Sequence, residues 1–289
     1  MRSVLNKTKT IFFVLTAIVC GMGNASFAAA PQRIISLSPA TTEILFALGL
    51  GERIVGVTSF CDHPPEAKQK AKVGGMSNPS LESILSLKPD IVVLTTDGNP
   101  QEAEERLRGM KLRTYVWTAR TLAELPGGIR ELAKALEAGD RGEALASDIE
   151  RSLKQYSAHT GVPDPKHAAQ NAPRIKVLYI VWPEPLLVAG PGTAIHDAIT
   201  LLGMENTAAR AMTSYPRYSI EEVIREAPDV LCIGKGSGMD MRTVSEGILK
   251  KLRNIPAVKN GKVCYVSDSL YRLGPRVVAG IEELAACAK

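Results

Sequence analysis

The sequence lacks three features that would each assign it to a large class of proteins. After residue 30 it has no apolar stretch of the roughly 20 residues needed to span a bilayer. It has no strong excess of basic residues: the net charge is +5, and nucleic-acid-binding proteins usually carry a clustered basic face. Its four histidines are scattered, and zinc sites need three or four converging ligands. We therefore expect a soluble protein that binds neither nucleic acid nor a bare metal ion.

Common catalytic motifs are also missing. No Gly-x-Ser-x-Gly elbow occurs, and "GKGSG" (residues 234–238) lacks the spacing of a phosphate-binding loop. Neither the His196–Asp197 pair nor the run Cys61–Asp62–His63 has the separated arrangement of a nucleophilic site. We expect no enzyme, although an exported α/β hydrolase or a chelating enzyme stays open as an alternative, because a fold alone does not exclude it.

The first 28 residues have the layout of a cleaved signal peptide. Positive charges at the start precede an apolar run over residues 11–22, and small residues follow in "ASFAAAPQ". Cleavage after Ala28 is favoured, because a cut after Ala30 would place Pro31 beside the scissile bond. A membrane anchor would need a longer run, and a lipoprotein would need a small residue in place of Val19 before Cys20. We therefore expect a periplasmic protein.

Four cysteines remain after this leader, and their pairing is left open by the sequence. They are Cys61, Cys232, Cys264 and Cys287. An even number in an oxidising compartment permits disulfides. However, Cys232 and Cys264 lie in apolar strand-like runs, where a cysteine is often simply a small buried side chain.

Short apolar runs alternate with helical patterns along the rest of the chain. The strand-like runs are "RIISLS", "RIVGVTS", "DIVVLTT" and "RTYVW" in the first half, and "RIKVLYIVW", "PLLVAG", "DVLCIG" and "KVCYVS" in the second. Runs that are apolar rather than alternating are typical of mostly parallel sheets covered on both faces. Helices are predicted over residues 42–48, 80–87, 100–108, 196–202 and 220–225, with Gly49 and Gly109 at C-terminal ends.

A polar stretch between the two halves predicts a long connecting helix. Leu145, Ile149, Leu153 and Tyr156 recur there at helical spacing. The predicted organisation is a signal peptide (1–28), an α/β lobe (29–137), a bridging helix (138–160) and a second α/β lobe (161–289). The fold class is thus α/β, with two similar lobes of mostly parallel sheet joined by one long helix.

One phrase occurs in both halves. "SLESILSLKPDIVVL" (80–94) and "SIEEVIREAPDVLCI" (219–233) share a serine, a glutamate and a Pro-Asp pair. We predict that Asn78 and Pro79 start the first helix and that Ser219 with Glu222 forms a capping box on the second.

The shared glutamates, Glu82 and Glu221, have two interpretations. Each can simply stabilise its helix by about 0.3–1 kcal/mol through the helix dipole. In a parallel α/β sheet, however, helices begin at the carboxyl edge of the strands, where ligands bind. The pair would then lie on the rim of a cleft, one per lobe, available for basic residues of a partner.

These motifs resemble those of the cobalamin and iron-complex periplasmic binding proteins of ABC importers. The resemblance rests on "LSPATTEILFALG" and on the paired "SLE…KPD" and "SIEE…APD", and runs from about Arg33 to the terminal "GPRVVAGIEEL". It implies two α/β lobes bridged by one helix that open only slightly, no cofactor and no chemistry on the ligand. It also implies that Glu82 and Glu221 dock on arginines of a membrane permease. We expect a monomer.

Candidate ligand contacts are side chains that follow strand ends or precede the two repeated helices. A ring of the corrin type needs flat apolar surfaces and few polar groups. The candidates are Phe60, His63, Met76, Trp182, Tyr215 and Asp268. By resemblance Phe60 is at an aromatic position and Asp268 at an acidic ligand contact. Met76 and Tyr215 are at positions where a tryptophan is often found, and Met76 is a departure from it. For the aromatic residues core packing is an equal alternative, and Ser38 either donates a hydrogen bond to ligand or caps a helix.

The expected ligand is a corrinoid, cobalamin. The main alternative is haem, with His63 as an axial ligand to iron, since histidine is a usual one. A ferric siderophore is a further alternative within the same class of binding protein.

Overall fold

The computed structural model describes residues 30–159, 174–236 and 240–288. The predicted signal peptide, the predicted loop at 161–173 and the last two residues of "GKGSG" lie outside these ranges. Within them, none of the helices is both long enough and apolar enough to cross a membrane.

The first sheet has five strands in the order β3-β2-β1-β4-β5. They are β1 (Ile34–Ser36), β2 (Ile54–Val57), β3 (Ala71–Lys72), β4 (Ile91–Thr95) and β5 (Thr114–Trp117). All neighbouring pairs are parallel. Every residue of β1 and β4 is buried, because both faces of these central strands are covered, which explains their unbroken apolar sequence.

The second sheet has the order β10-β9-β6-β7, with β8 also paired to β6. Its strands are β6 (Lys176–Pro183), β7 (Leu186–Val188), β8 (Glu205–Asn206), β9 (Val230–Gly234) and β10 (Val263–Val266). Only β7 runs antiparallel to β6, as the return strand of a hairpin. The predicted α/β class with two mostly parallel sheets is therefore confirmed.

Besides the long connecting helix, the described ranges contain nine α-helices, which pack around the two sheets. They are α1 (Pro39–Ala47), α2 (Leu81–Ser86), α3 (Gln101–Gly109), α4 (Leu125–Ala135), α6 (Ala194–Leu201), α7 (Ile220–Glu226), α8 (Met241–Lys251), α9 (Pro256–Lys259) and α10 (Val277–Ala288). Gly49 follows α1 in a left-handed conformation (φ 67°), as predicted. The capping box of Ser219 and Glu222 on α7 is likewise confirmed.

Two predicted helix ends are wrong. Gly109 lies inside α3, and the left-handed residue beyond that helix is Lys111 (φ 62°). Asn78 does not cap α2: Ser80 does, its Oγ accepting from the Ser83 amide at 3.2 Å. The reason is that Pro79 is held in an isolated antiparallel bridge to Gly74, so the chain is still extended there.

The connecting helix α5 covers Gly139–His159 and follows the first sheet. Its apolar stripe packs into the largest hydrophobic core, which contains residues from both sheets. At α4, Arg130 bonds Glu143 and Glu150 of α5 at 2.8 and 2.7 Å, and Tyr156 donates to Glu282 of α10 at 2.7 Å. Because this core is shared, the described residues from Pro31 onward form one compact unit. The boundaries at 137 and 161 stay a prediction.

The repeated phrase makes the same backbone contacts in both halves. Asp90 accepts from the amides of Gln32 and Arg33 at 2.7 and 2.8 Å, beside the start of β1. Asp229 accepts from the Lys176 amide at 2.9 Å, at the start of β6. In each half this carboxylate ties the strand after the repeated helix to the first strand of its sheet.

Candidate functional site

A cavity of about 390 Å³ lies where the carboxyl ends of the strands of both sheets face each other. Its wall comes from the segments that follow β1, β2, β4, β5, β9 and β10, from the N-terminal end of α6, and from Tyr215 in the loop before α7. This is the edge where open α/β sheets bind ligands, because the loops there are free to vary while the strands hold their ends in place.

The wall of the cavity is largely aromatic and apolar. It includes Phe60, Met76, Trp117, Tyr215 and Tyr271. The rings of Tyr215 and Tyr271 meet edge to face, with centroids 6.2 Å apart. Phe60 is 52 % exposed although it is a large apolar side chain, so its ring is available to a ligand at little cost in packing. Burial raises the pKa of Tyr215, which therefore stays a neutral phenol at physiological pH.

An amide side chain fixes the loop that carries Met76. Asn99 donates through Nδ2 to the carbonyl of Met76 at 2.9 Å and to that of Leu37 at 3.0 Å. Its Oδ1 accepts from the Thr95 amide at 2.8 Å. This one residue thus joins the ends of β1 and β4 to the loop before α2, and holds that side of the cavity in place.

A charged network joins the two halves of the chain, and two of its members, Asp268 and Arg272, line the cavity. Arg272, 7 % exposed, bonds Asp62 at 2.5 Å and Asp268 at 3.0 Å. Arg276 makes two hydrogen bonds to Glu43 through Nε and Nη2, at 2.8 and 2.6 Å, and a third to Asp268 at 3.1 Å. Those bonds raise the pKa of Arg276, so its guanidinium is permanently charged. We call these five residues the interlobe network.

Four of the six predicted ligand contacts line this cavity: Phe60, Met76, Tyr215 and Asp268. The carboxylate of Asp268 is at the same time held by both arginines of the interlobe network. The hydroxyl of Ser38 caps α1 by accepting from the Thr41 amide, and the residue also borders the cavity.

His63 and Trp182 are not among the residues that line this cavity, so their contact with a ligand stays a prediction. His63 lines a second, more open groove of about 800 Å³ bounded by α1 and the start of α10. Trp182 shares the face of β6 with Leu178 and Ile180 and packs with them into a separate core, away from the side of Tyr179. Trp182 is on this face because successive side chains of a strand point to opposite faces of the sheet. Its indole N–H donates to the Glu184 carbonyl at 2.8 Å.

The run Cys61–Asp62–His63 points in three directions. Cys61 is buried against the hydroxyls of Thr42 and Thr58, and burial raises the pKa of its thiol. Asp62 bonds Arg272, while His63 faces the second groove. In the three described stretches of chain, no group of three or more His, Cys, Asp or Glu side chains could hold a metal ion.

The adjacent His196 and Asp197 also serve separate contacts. His196 Nδ1 lies 3.1 Å from the Asn206 amide group, and Asp197 accepts from the backbone of Leu122 at 2.9 Å. Burial raises the pKa of Asp197. Each side chain is therefore engaged in joining neighbouring segments.

Sequence reasoning missed four residues of the site: Trp117, Tyr271, Arg272 and Asn99. Trp117 ends the predicted strand "RTYVW", and Tyr271 and Arg272 follow Asp268 within one helical turn, so their proximity to strand ends was a usable signal. Nothing in the local sequence distinguishes Asn99 from an ordinary loop asparagine.

Glu82 and Glu221 are both exposed in the first turns of α2 and α7. No hydrogen bond or ion pair joins either carboxylate to another residue of the described ranges. They are thus accessible to a partner, each on a helix whose N-terminus is near the cavity edge.

Comparison with known proteins gives a consistent result over most of the chain. Residues 34–270 match a family described as "Periplasmic binding protein". A vitamin B12-binding protein of Pectobacterium carotovorum is 30% identical over 256 residues, which are 89% of this chain and 88% of that protein. Among solved structures, the periplasmic vitamin B12 binding protein BtuF of Vibrio cholerae has a TM-score of 0.76 at 27% identity and covers 89% of this chain and 96% of its own.

A haem-binding protein is equally similar in structure. The periplasmic heme-binding protein RhuT from Roseiflexus sp. RS-1 has a TM-score of 0.77 at 30% identity, covering 89% of this chain and 97% of its own. Since the family match spans most of the sequence and the relatives cover both sheets, the chain belongs to the periplasmic binding protein family, whose members are the substrate-binding components of ABC importers.

Proposed function

We propose that this protein captures a corrinoid, cobalamin, in the cavity between its sheets and delivers it to the permease of an ABC importer. The observation that carries this proposal is the largely aromatic and apolar wall at the carboxyl edge of both sheets. Of its charged residues, Asp97 pairs with Arg120 and Asp268 with Arg272. A large ring gains affinity there by burying its faces, at about 25 cal/mol per Å² of apolar surface. The named vitamin B12-binding relatives support the choice of ring.

Capture needs little rearrangement of the protein. The two halves share a hydrophobic core and the interlobe network, so the site is largely formed before a ligand enters. A preformed site limits the ordering cost of binding. A volume of 390 Å³ is near the lower end of the range for ligand pockets, about 300–1,000 Å³, so the edge of a substituted macrocycle should remain in solvent.

Haem is the second candidate, because a haem-binding protein is as similar in structure as a cobalamin-binding one. The sequence suggested His63 as the axial ligand, but His63 faces the other groove. The cavity instead offers the phenols of Tyr215 and Tyr271, and tyrosine is a known haem ligand. A haem complex would therefore depend on a tyrosine and be indifferent to His63.

Delivery rests on Glu82 and Glu221, in this proposal the docking pair for arginines of the permease. Both carboxylates are exposed, and neither bonds a described residue that would have to be displaced first. Export would use the leader at residues 1–28, and the protein would act as a monomer without turnover or a resident cofactor.

The proposal is tested by titrating the purified protein with cyanocobalamin, haemin and a ferric siderophore. Tryptophan fluorescence, corrected for inner-filter absorption, reports binding, and calorimetry gives the stoichiometry. The proposal expects one-to-one binding of cobalamin. Haemin alone would favour the second candidate, in which Tyr215→Phe or Tyr271→Phe changes the Soret band and His63→Ala does not. Binding of none of the three, together with turnover of any ester or tetrapyrrole substrate, would overturn both.

Two methionine variants, one in the cavity and one outside it, test where the ligand binds. Met76→Ala should weaken binding on the order of tenfold, because it removes an apolar side chain worth about 1.5–3 kcal/mol when fully covered. Met212→Ala is the control, since Met212 is 98 % exposed and outside the cavity. Equal effects of both would place the ligand elsewhere.

Docking has its own test. Reversing Glu82 and Glu221 to Arg should abolish uptake in cells while leaving the affinity of the purified protein unchanged. Glu246→Arg, exposed in the middle of α8, is the control for a reversed surface charge and should leave uptake intact. A parallel loss of affinity in the Glu82 and Glu221 variant would assign those residues to the pocket instead.

A further inference from the structure

Three of the four cysteines that follow residue 30 meet beneath the second sheet. Cys232 of β9 and Cys264 of β10 are paired in register on neighbouring parallel strands. Cys287 lies in the last turn of α10, which packs against both strands. All three are free thiols in this structure. We call them the thiol cluster.

The thiol cluster is remote from the ligand cavity. Helix α10 begins four residues after Leu273, which lines the cavity, and runs for 12 residues, a rise of about 18 Å. Cys287 is at its far end, and none of the three cysteines lines the cavity. A reaction in the cluster therefore concerns the C-terminal helix and its attachment to the sheet rather than ligand contacts.

Exposure and electrostatics distinguish the three thiols. Cys232 is completely buried, whereas Cys264 and Cys287 are half-buried and reachable from solvent. A hydrogen bond with Cys232, with a second from Cys264, lowers the pKa of Cys287 to about 7 against the opposing effect of its burial. Burial raises the pKa of Cys264 to about 12. Cys287 is thus the thiol that is partly ionised near neutral pH, and the thiolate is the reactive form.

We propose that Cys287 and Cys264 form a disulfide bond that fastens the C-terminal helix to the edge strand of the second sheet. The pair is favoured over Cys287–Cys232 because both members are accessible to an oxidant and because β10, at the edge of the sheet, can adjust its position. The compartment of this family is oxidising, which permits structural disulfides.

The oxidant is a disulfide, either of a small thiol or of a protein, and the reaction is an exchange. The Cys287 thiolate attacks one sulfur of the oxidant, breaks its S–S bond and releases one thiolate, leaving a mixed disulfide on Cys287. The Cys264 thiol then loses its proton to water and attacks the Cys287 sulfur. This step expels the second thiolate, which takes up a proton. Two protein thiols are oxidised and one disulfide molecule is reduced to two thiols.

Tryptic mapping tests the pairing directly, because each cysteine lies on its own tryptic fragment. These are 54–68 for Cys61, 226–235 for Cys232, 263–272 for Cys264 and 277–289 for Cys287. The protein is isolated from an oxidising compartment, or reduced and then exposed to glutathione disulfide, and is alkylated before digestion. The proposal expects fragments 263–272 and 277–289 joined in one species that reduction separates. Alkylated thiols at all four positions, or a link from 277–289 to any other fragment or to a second copy, would overturn it.

Thermal unfolding provides an independent readout. Closing a loop of about 20 residues should raise the melting temperature on the order of 5–10 °C relative to the reduced protein. Cys264→Ser and Cys287→Ser should each melt at the same temperature with and without reductant, whereas Cys61→Ser should keep the full difference. A reductant effect that persists in Cys287→Ser would contradict the assignment. These outcomes do not depend on which ligand the cavity binds.

Discussion

Glu43 is the most deeply buried member of the interlobe network, and its replacement by Gln tests what holds the two halves together. Its carboxylate is 2 % exposed and receives two hydrogen bonds from Arg276, at 2.8 and 2.6 Å, with Arg272 at 3.5 Å. Gln has almost the same shape, so the change removes the negative charge and turns one acceptor into a donor facing a guanidinium.

The expected loss of stability is about 3 kcal/mol. Removing one partner of a buried ion pair costs roughly 3–5 kcal/mol, because the other charge is left uncompensated. The lower end applies here, since Arg276 is 26 % exposed and keeps Asp268, while Arg272 keeps Asp62 and Asp268. For a chain of this size such a loss lowers the melting temperature by about 6–12 °C.

Urea denaturation followed by circular dichroism measures the free energy of unfolding. Glu52→Gln is the control, because Glu52 is exposed on the turn after α1 and should change stability by no more than about 0.5 kcal/mol. Arg276→Met and the double variant complete a cycle, in which the coupling between Glu43 and Arg276 should exceed about 1 kcal/mol. A loss below 1 kcal/mol for Glu43→Gln, or additive single effects, would refute the view that this pair joins the two halves.

Three further predictions concern stability elsewhere in the chain. Ser219→Ala removes the capping box of α7 and should cost about 1 kcal/mol in urea denaturation. Gly280→Ala should lower the free energy of unfolding by more than about 2 kcal/mol, because a Cβ there would lie 2.7 Å from backbone and side-chain atoms of Leu270 in the loop before α10. Gly247→Ala is the control: a Cβ has open space there in α8, so this change should be stabilising. Arg130→Gln should raise the pKa of Glu143, which Arg130 holds at about 2, towards its ordinary value in an NMR titration. Because that folded-state pKa is depressed, the stabilising effect of the pair is present above about pH 4.5 and is lost as the pH falls through 2, so the stabilities of the two proteins should converge below about pH 2.

The sheets could be predicted from sequence because their central strands are buried on both faces. β1, β4 and β9 read as short unbroken apolar runs, a pattern that depends only on local sequence. β3 and β8 have two residues each and too little pattern to be recognised. The predicted starts of α1 and α2 differ from the observed ones for a related reason. The observed N-caps are Ser38 and Ser80, and their positions depend on where the chain leaves the sheet, which a serine alone does not reveal.

The site could be predicted only in part, because its residues converge through tertiary contacts. Proximity to a strand end identified Phe60 and Asp268 as candidates, and a place before a repeated helix identified Met76 and Tyr215. All four border the cavity. The rule based on strand ends also selected Trp182, which does not line the cavity because its strand continues past it and its indole packs into a separate core. The interlobe network joins residues more than 200 positions apart, and its pairing has no signature in the local sequence.

The repeated phrase can now be divided into a structural part and a part that structure leaves unexplained. Asp90 and Asp229 each bind the backbone at the start of the neighbouring strand, so their recurrence follows from the fold. The recurrence of Glu82 and Glu221 does not follow in the same way. In α7 the cap is completed by Glu222, and in α2 by Ser80, so neither shared glutamate is needed for it. What remains within the fold is a dipole contribution of about 0.3–1 kcal/mol, which any acidic residue of the first turn would supply. Two exposed carboxylates at equivalent positions of two lobes are better explained by a partner that contacts both. The charge-reversal experiment separates this explanation from the dipole effect, because only a partner contact predicts a loss of uptake at unchanged affinity.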